Sequence, residues 1–361
     1  MSRTHSLPSL VALLLAALSA GCDKDKPAAT TTSASSASAA ASGASSAASA
    51  SASGAAASAS GATAAASASG APAASGSAAA GARAAGSGAA VSFGKEAGLS
   101  TPESVLFDEA ADVYLVSNIN GSPLEADGNG FISKLTPDGK VESLKWIEGG
   151  KNKVTLNAPK GLAIVGDVLY VADLDTVRMF DRKTGAPAGE VKIAGATFLN
   201  DLTVGTDGKV LVSDSGLKGG AKGFEPSGTD AVYVIDKAKK VTPLAKSKDL
   251  GGPNGLLAIG EKTWVVTFGS GEMYSLDTKG KKSDVAKLPK GQLDGILALP
   301  NGDVLVSSWE GSVVYRGKPG AEMKAIVEDV KSPADIGYDK KRNRVLVPLF
   351  MENEVRAYEL K

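Results

Sequence analysis

Six copies of one short turn-and-strand motif constrain this chain more than any other feature. The clearest copy is Gly252-Pro253-Asn254-Gly255-Leu256-Leu257. The others begin at Pro102-Glu103-Ser104-Val105, Pro159-Lys160-Gly161-Leu162, Leu199-Asn200-Asp201-Leu202, Leu293-Asp294-Gly295-Ile296 and Pro333-Ala334-Asp335-Ile336. Each copy is followed by a second apolar run, at 113–116, 168–171, 210–212, 264–266, 304–306 and 345–347. An alternating run comes next, at 131–135, 177–180, 232–235, 273–276, 313–315 and 355–358. Turns such as Pro137-Asp138-Gly139 then lead to a fourth strand. Four short strands in a repeat of about 40 residues, rich in β-branched side chains and without helical periodicity, describe propeller blades. The expected fold is therefore all-β, a six-bladed β-propeller of four-stranded blades over 91–361. A sandwich array would not explain six recurrences of one turn. The last repeat stops after its third strand. The segment 91–95 is expected to supply the fourth strand and close the ring.

The remaining residues of the 361 have a different character. Arg3, an apolar run at 11–17 and small residues at 19–21 make a secretory signal over 1–21. Leu18-Ser19-Ala20-Gly21-Cys22 resembles the lipobox of bacterial lipoproteins, and Cys22 is the only cysteine of the chain. The resemblance implies acylation of Cys22 and a stable two-chain membrane anchor. The expected location is the bacterial cell envelope, with the propeller held outside the cytoplasm. Residues 22–90 are almost entirely Ala, Ser, Gly and Thr after the first few positions. That composition reads as a disordered tether with a root-mean-square reach of about 45 Å.

Removal of the signal takes away one Arg and the only histidine, His5, and leaves basic and acidic residues in near balance. Such a balance gives no reason to expect a nucleic-acid partner. The missing histidine excludes Ser-His-Asp and Cys-His catalysis. It also excludes His-ligated zinc, copper or iron in the mature chain. Catalysis is left to carboxylates, Lys, Tyr, Ser or a metal held by oxygen.

In a propeller the first strand of each blade lines the central channel. The residues that begin it are Glu103, Lys160, Asn200, Asn254, Asp294 and Ala334. Converging carboxylates repel one another unless a cation joins them. Oxygen ligands without His or Cys suit Ca²⁺, or another hard ion such as Mg²⁺ or Mn²⁺. A wet, hydrogen-bonded channel is the bland alternative. The motifs Pro102-Glu103, Asn200-Asp201, Pro253-Asn254-Gly255 and Asp294-Gly295 resemble those of the SMP-30/gluconolactonase and luciferin-regenerating-enzyme-like family across 91–361. The resemblance implies Glu103, Asn254 and Asp294 as ligands of one divalent cation, with Asn200 at the metal and substrate site. It further implies hydrolysis of a sugar lactone or related ester, a carboxylic ester hydrolase reaction with Asp294 as general base.

Two positions depart from that family. Phe198 stands where its lactonases place a substrate-holding Arg, and Lys160 points into the ring beside Glu103. The lysine is read either as a charge partner of Glu103 or as a substrate donor replacing the missing Arg. A second ring, read from the returning strands, comprises Asn118, Asp173, Asp214, Phe268, Ser308 and Leu349. Its two aspartates are read first as turn residues that hydrogen-bond backbone. Longer spacings place loops at 119–130 and 215–229 over the same mouth, with Phe131, Phe224 and Trp309 as apolar walls. The leading expectation is a membrane-anchored, monomeric, metal-dependent lactonase. The alternative is a surface-displayed propeller that binds a small molecule or protein without turnover.

Overall fold

The computed structural model describes residues 91–361, Lys222 excepted. The signal segment, Cys22 and the tether lie outside the described residues. Six four-stranded antiparallel sheets follow one another along the chain. Their first strands, nearest the axis, are Pro102–Asp108, Pro159–Val165, Leu199–Val204, Pro253–Ile259, Leu293–Ala298 and the short Gly337–Asp339. The first three strands of the sixth blade come from the C-terminal end of the chain. Its fourth is Val91–Phe93, which pairs antiparallel with Glu354–Glu359 through Val91↔Ala357 and Phe93↔Val355. The expected closure is thus present, and Phe93 is buried in the seam. No helix among the described residues is long and apolar enough to cross a membrane.

The apolar runs that signalled inner strands are buried because blades cover them from both sides. Six hydrophobic clusters fill the six gaps between neighbouring blades. Leu115 and Ile132 of blade one meet Leu169 and Phe180 of blade two. Phe93 and Ala357 of blade six meet Tyr114 and Val116 of blade one. Outer strands are more open: Pro187–Lys192 is exposed except at Val191, Val141–Glu148 is mostly partly buried, and both carry charged residues.

Every complete first strand carries a bulge at the repeated motif. Pairing skips from Pro102 to Val105, Pro159 to Leu162, Leu199 to Leu202, Pro253 to Leu256 and Leu293 to Ile296. A bulge re-aims the side chains it carries. It also frees backbone N–H groups, which need other partners. In three blades a serine of the second strand takes one up. Ser117 Oγ accepts from Ser104 N at 2.9 Å, Ser213 Oγ from Asp201 N at 2.9 Å, and Ser307 Oγ from Gly295 N at 2.8 Å. Ser213 Oγ also donates to Asn254 O at 2.7 Å, which joins blade three to blade four.

Gly255 is not the turn residue its sequence context suggests. It lies inside a strand, where a Cβ would collide with the Asp294 carbonyl of the next blade. The turn before it is made by Gly251 and Gly252, with φ of 77° and 71°.

Candidate functional site

The bulges place the first residues of the inner strands in the interior of one end of the ring. Glu103, Lys160, Asn200, Asn254 and Asp294 are all at most 5% exposed. Buried polar atoms are normally hydrogen-bonded. Four oxygens at these positions are not: Glu103 Oε2, Asn200 Oδ1, Asn254 Oδ1 and Asp294 Oδ1. Each comes from a residue chosen from sequence as a metal or substrate contact. Asn200 is held by its other end, since its Nδ2 donates to Ser215 Oγ at 3.0 Å, which leaves the oxygen free. Among the described residues no group of three or more His, Cys, Asp and Glu side chains is arranged to hold a metal. The set here is two carboxylates and two amides, a donor group suited to a hard cation.

Electrostatics point the same way. Burial pushes the Glu103 carboxyl well up, Asp294 and Asp335 push it further, and Lys160 offsets part of this. Burial, then Asp335, raises Asp294, while Trp309 and Asn254 favour its charged form. The Trp309 indole Nε1 is buried and in hydrogen-bond geometry with no group, so its influence on Asp294 is that of a nearby donor rather than a formed bond. A cluster of carboxylates driven toward neutrality by burial and mutual repulsion is a site that a cation would return to its charged form.

Asp201 and Asp335 sit one residue beyond the ring and do different work. Asp201 accepts from Leu202 N and Leu256 N, both at 2.6 Å, and so ties blade three to blade four. Asp335 Oδ2 accepts from Ser104 Oγ at 2.5 Å, which helps tie blade six to blade one. Gly161 makes room for this arrangement, because a Cβ there would stand 2.6 Å from Asp201 Cα.

Lys160 is 1% exposed. Its ammonium donates to Ala158 O at 3.0 Å and lies 4.3 Å from the centre of the Phe198 ring. Burial brings its pKa down to about 8, against the opposing pull of Glu103 and Asp173. Phe198 thus presents its ring to the cation of Lys160. Phe224 packs edge-on against Phe198 with centroids 5.8 Å apart.

The second ring is structural. Asp173 Oδ1 accepts from Asn157 N and Ala158 N, and Asp214 from Thr197 N, Phe198 N and Gly216 N. Asn118 accepts from Ser100 N and donates to Val116 O and Ser133 Oγ. These groups hold the segments leading into the first strands of blades one, two and three.

One member of this ring was misplaced by sequence reading. Thr267, not Phe268, is the partner of Pro253, as Asn118 is of Pro102. Phe268 belongs one step further on, with Ile119, Leu174, Ser215, Trp309 and Phe350. Ile119, Phe268, Trp309 and Phe350 donate their backbone N–H to the residue two before the ring position of their blade, namely Thr101, Gly252, Gln292 and Ser332. Ile119, Leu174, Trp309 and Phe350 share one apolar cluster with Ala334. Phe268 joins it through Trp309, with centroids 5.5 Å apart. Trp309 is thus a wall of the mouth, as expected. Phe131 is not, because it is buried in blade one opposite Asn118. The signal missed in the sequence is that the residue after each second strand is apolar in five of six repeats.

Both long loops meet near this mouth. The insert in blade three folds as a hairpin, Leu217–Gly220 paired with Gly223–Pro226, which carries Phe224. A Cβ on its Gly219 would lie 3.6 Å from Leu124 of the blade-one loop.

No protein-family model and no curated protein matches the sequence. Solved structures do match. A gluconolactonase from Xanthomonas campestris is 18% identical, with a TM-score of 0.59 over 79% of this chain and 94% of that one. The chain has the six-bladed fold of that gluconolactonase. A streptogramin B lyase is 14% identical, with a TM-score of 0.54 over 77% of this chain and 99% of that one. A luciferin-regenerating enzyme is 13% identical, with a TM-score of 0.54 over 72% of this chain and 92% of that one. These likenesses establish a shared architecture.

Proposed function

We propose that the chain is a divalent-cation-dependent hydrolase of a lactone or related ester, acting at the end of the channel where Glu103, Asn254 and Asp294 meet. The observation that carries this reading is the set of four buried oxygens without partners, one each on Glu103, Asn200, Asn254 and Asp294. Leaving four such atoms unsatisfied costs on the order of 1–3 kcal/mol each. A hard cation, Ca²⁺ foremost, would satisfy those of Glu103, Asn254 and Asp294 and, when bound, would polarise an ester carbonyl. Glu103, Asn254 and Asp294 would hold it. Asn200, oriented by Ser215, presents its oxygen to the cation or to the substrate. Asp294, in its charged form, accepts a proton from the attacking water, and the Trp309 N–H stands beside it. Lys160, seated on Phe198, acts as the charge partner of Glu103.

A second reading, a propeller that binds its ligand without turnover, is favoured by Phe198, which offers no hydrogen-bond donor where the lactonases of the resembled family hold their substrate. The deciding experiment is metal analysis of the purified full chain, followed by hydrolysis of a lactone panel with and without chelator. Bound divalent metal and chelator-sensitive turnover are expected. Metal without turnover supports the second reading, and absence of both sinks the hydrolase. We further propose that acylated Cys22 anchors the propeller to an envelope membrane. Loss of labelled palmitate incorporation in Cys22→Ser is the expected result.

A further inference from the structure

At the mouth of the channel the polar side chains of the returning strands are already hydrogen-bonded, the buried Ser332 Oγ beside Phe350 being an exception, and a set of apolar groups stands among them. Asn118, Asp173 and Asp214 spend their side chains on backbone, as described above. Thr267 Oγ1 is bonded to Glu272 N at 2.8 Å and Glu272 O at 3.0 Å, and Ser308 Oγ to Gly291 O at 2.8 Å and Gly311 N at 3.0 Å. A polyhydroxylated ligand entering here would strip water from its hydroxyls and find few partners for them. A site without matching donors and acceptors discriminates strongly against such groups.

What the mouth does present is a continuous apolar collar. Ile119, Leu174, Trp309 and Phe350 pack together, and Phe268 continues the row through its edge contact with Trp309. Leu174, Phe268 and Trp309 are partly open to solvent, while Ile119 and Phe350 back them from within. Ala334, the one first-ring position without a polar group, belongs to the same cluster. The collar therefore reaches down to the level of the four unpartnered oxygens. Trp309 bridges the two zones, because its ring lies in the apolar row while its unpartnered N–H stands near Asp294.

We infer that the ligand of this site is amphiphilic. It is a lactone or ester whose compact oxygen head reaches the Glu103–Asn254–Asp294 end, and whose alkyl or aryl body lies on the open part of the collar, Phe268 and Trp309 with Leu174. Trp309 is the specificity-determining residue, supplying ring surface to the body and its N–H to an oxygen of the head. The nature of the head group rests on the hydrolase reading, whereas the apolar body rests on the collar alone.

Calorimetric titration of the full chain in Ca²⁺ tests the collar, with δ-valerolactone, δ-decalactone and glucono-δ-lactone as probes. Affinity is expected to rise about fourfold for each methylene that reaches the collar, with the sugar lactone weakest. Trp309→Ala and, as a half-exposed position less prone to disturb folding, Phe268→Ser should each reduce the gain to less than about twofold per methylene. Equal or tighter binding of the sugar lactone overturns the inference, as does an unchanged chain-length dependence in both folded variants. Turnover of the same three lactones, with and without chelator, is measured separately. Tight binding of δ-decalactone without any hydrolysis removes the hydrolase reading and leaves the collar standing.

Discussion

At the scale of single residues the channel end is a balance between buried charges, and that balance is measurable. Burial raises the Asp335 pKa to about 7, against about 4 in an unfolded chain. Between those values the folded state holds a proton that the unfolded state has released. Stability contributed by this group is therefore fully present below about pH 4 and is lost as pH rises through about 7, by up to on the order of 4 kcal/mol. In chelator, the urea midpoint should fall from pH 4 to pH 8, and Asp335→Asn should flatten that fall. A slope unaffected by the substitution would show that other groups govern it. Asp294→Asn removes one of the repelling carboxylates. Its melting temperature without cation should rise, while the increment produced by Ca²⁺ should shrink to less than about half. Lys160→Met removes an ammonium that competes with a cation for the field of Glu103. Calorimetry should show Ca²⁺ binding tighter by about tenfold, equivalent to 1.4 kcal/mol, with turnover retained. Turnover lost while Ca²⁺ binding persists would instead assign Lys160 to the substrate. The identities of Glu103, Asn200, Asn254 and Asp294 were legible in the sequence because each opens a repeat. The partnership of Lys160 with Phe198 was not, since it depends on how neighbouring blades pack.

The strands matter through their bulges. A regular first strand would send alternate residues to opposite faces and leave only one of each pair near the axis. The bulge brings both residues inward: one belongs to the ring, and the next either locks a neighbouring blade, as Ser104 and Asp201 do, or is a glycine (Gly161, Gly255 or Gly295) that lets the neighbouring backbone approach. Ser213 serves two such groups, accepting from Asp201 N and donating to Asn254 O. Ser213→Ala should cost about 1–3 kcal/mol by chemical denaturation, because it strands a buried N–H. Serine at the matching place recurs in Ser117 and Ser307. That recurrence was present in the sequence, but its meaning needed the register. A one-residue slip in pairing explains why Phe268 was assigned to the wrong ring: a strand boundary read from apolar runs does not fix which residue lies opposite Pro253.

For the whole molecule, closure is the governing requirement. Each blade buries its apolar faces only against its neighbours, so an unclosed ring leaves two such faces in water. Val91–Phe93 completes the sixth blade, and Phe93 is 1% exposed between blades six and one. Phe93→Ala should destabilise by about 3–5 kcal/mol, seen as a cooperative loss in melting temperature rather than local fraying. A change confined to the terminal strand by hydrogen exchange would contradict this. The sequence by itself determined the number of blades, the closing segment and the four oxygen-bearing ring positions, because periodicity and apolar patterning are local properties repeated along the chain. Only the tertiary structure decided which polar groups at the mouth are already satisfied and which remain free. It alone assembled the collar from Ile119, Leu174, Phe268, Trp309 and Phe350. Those residues are far apart in the chain, and their proximity follows from the bending of the six sheets around one axis.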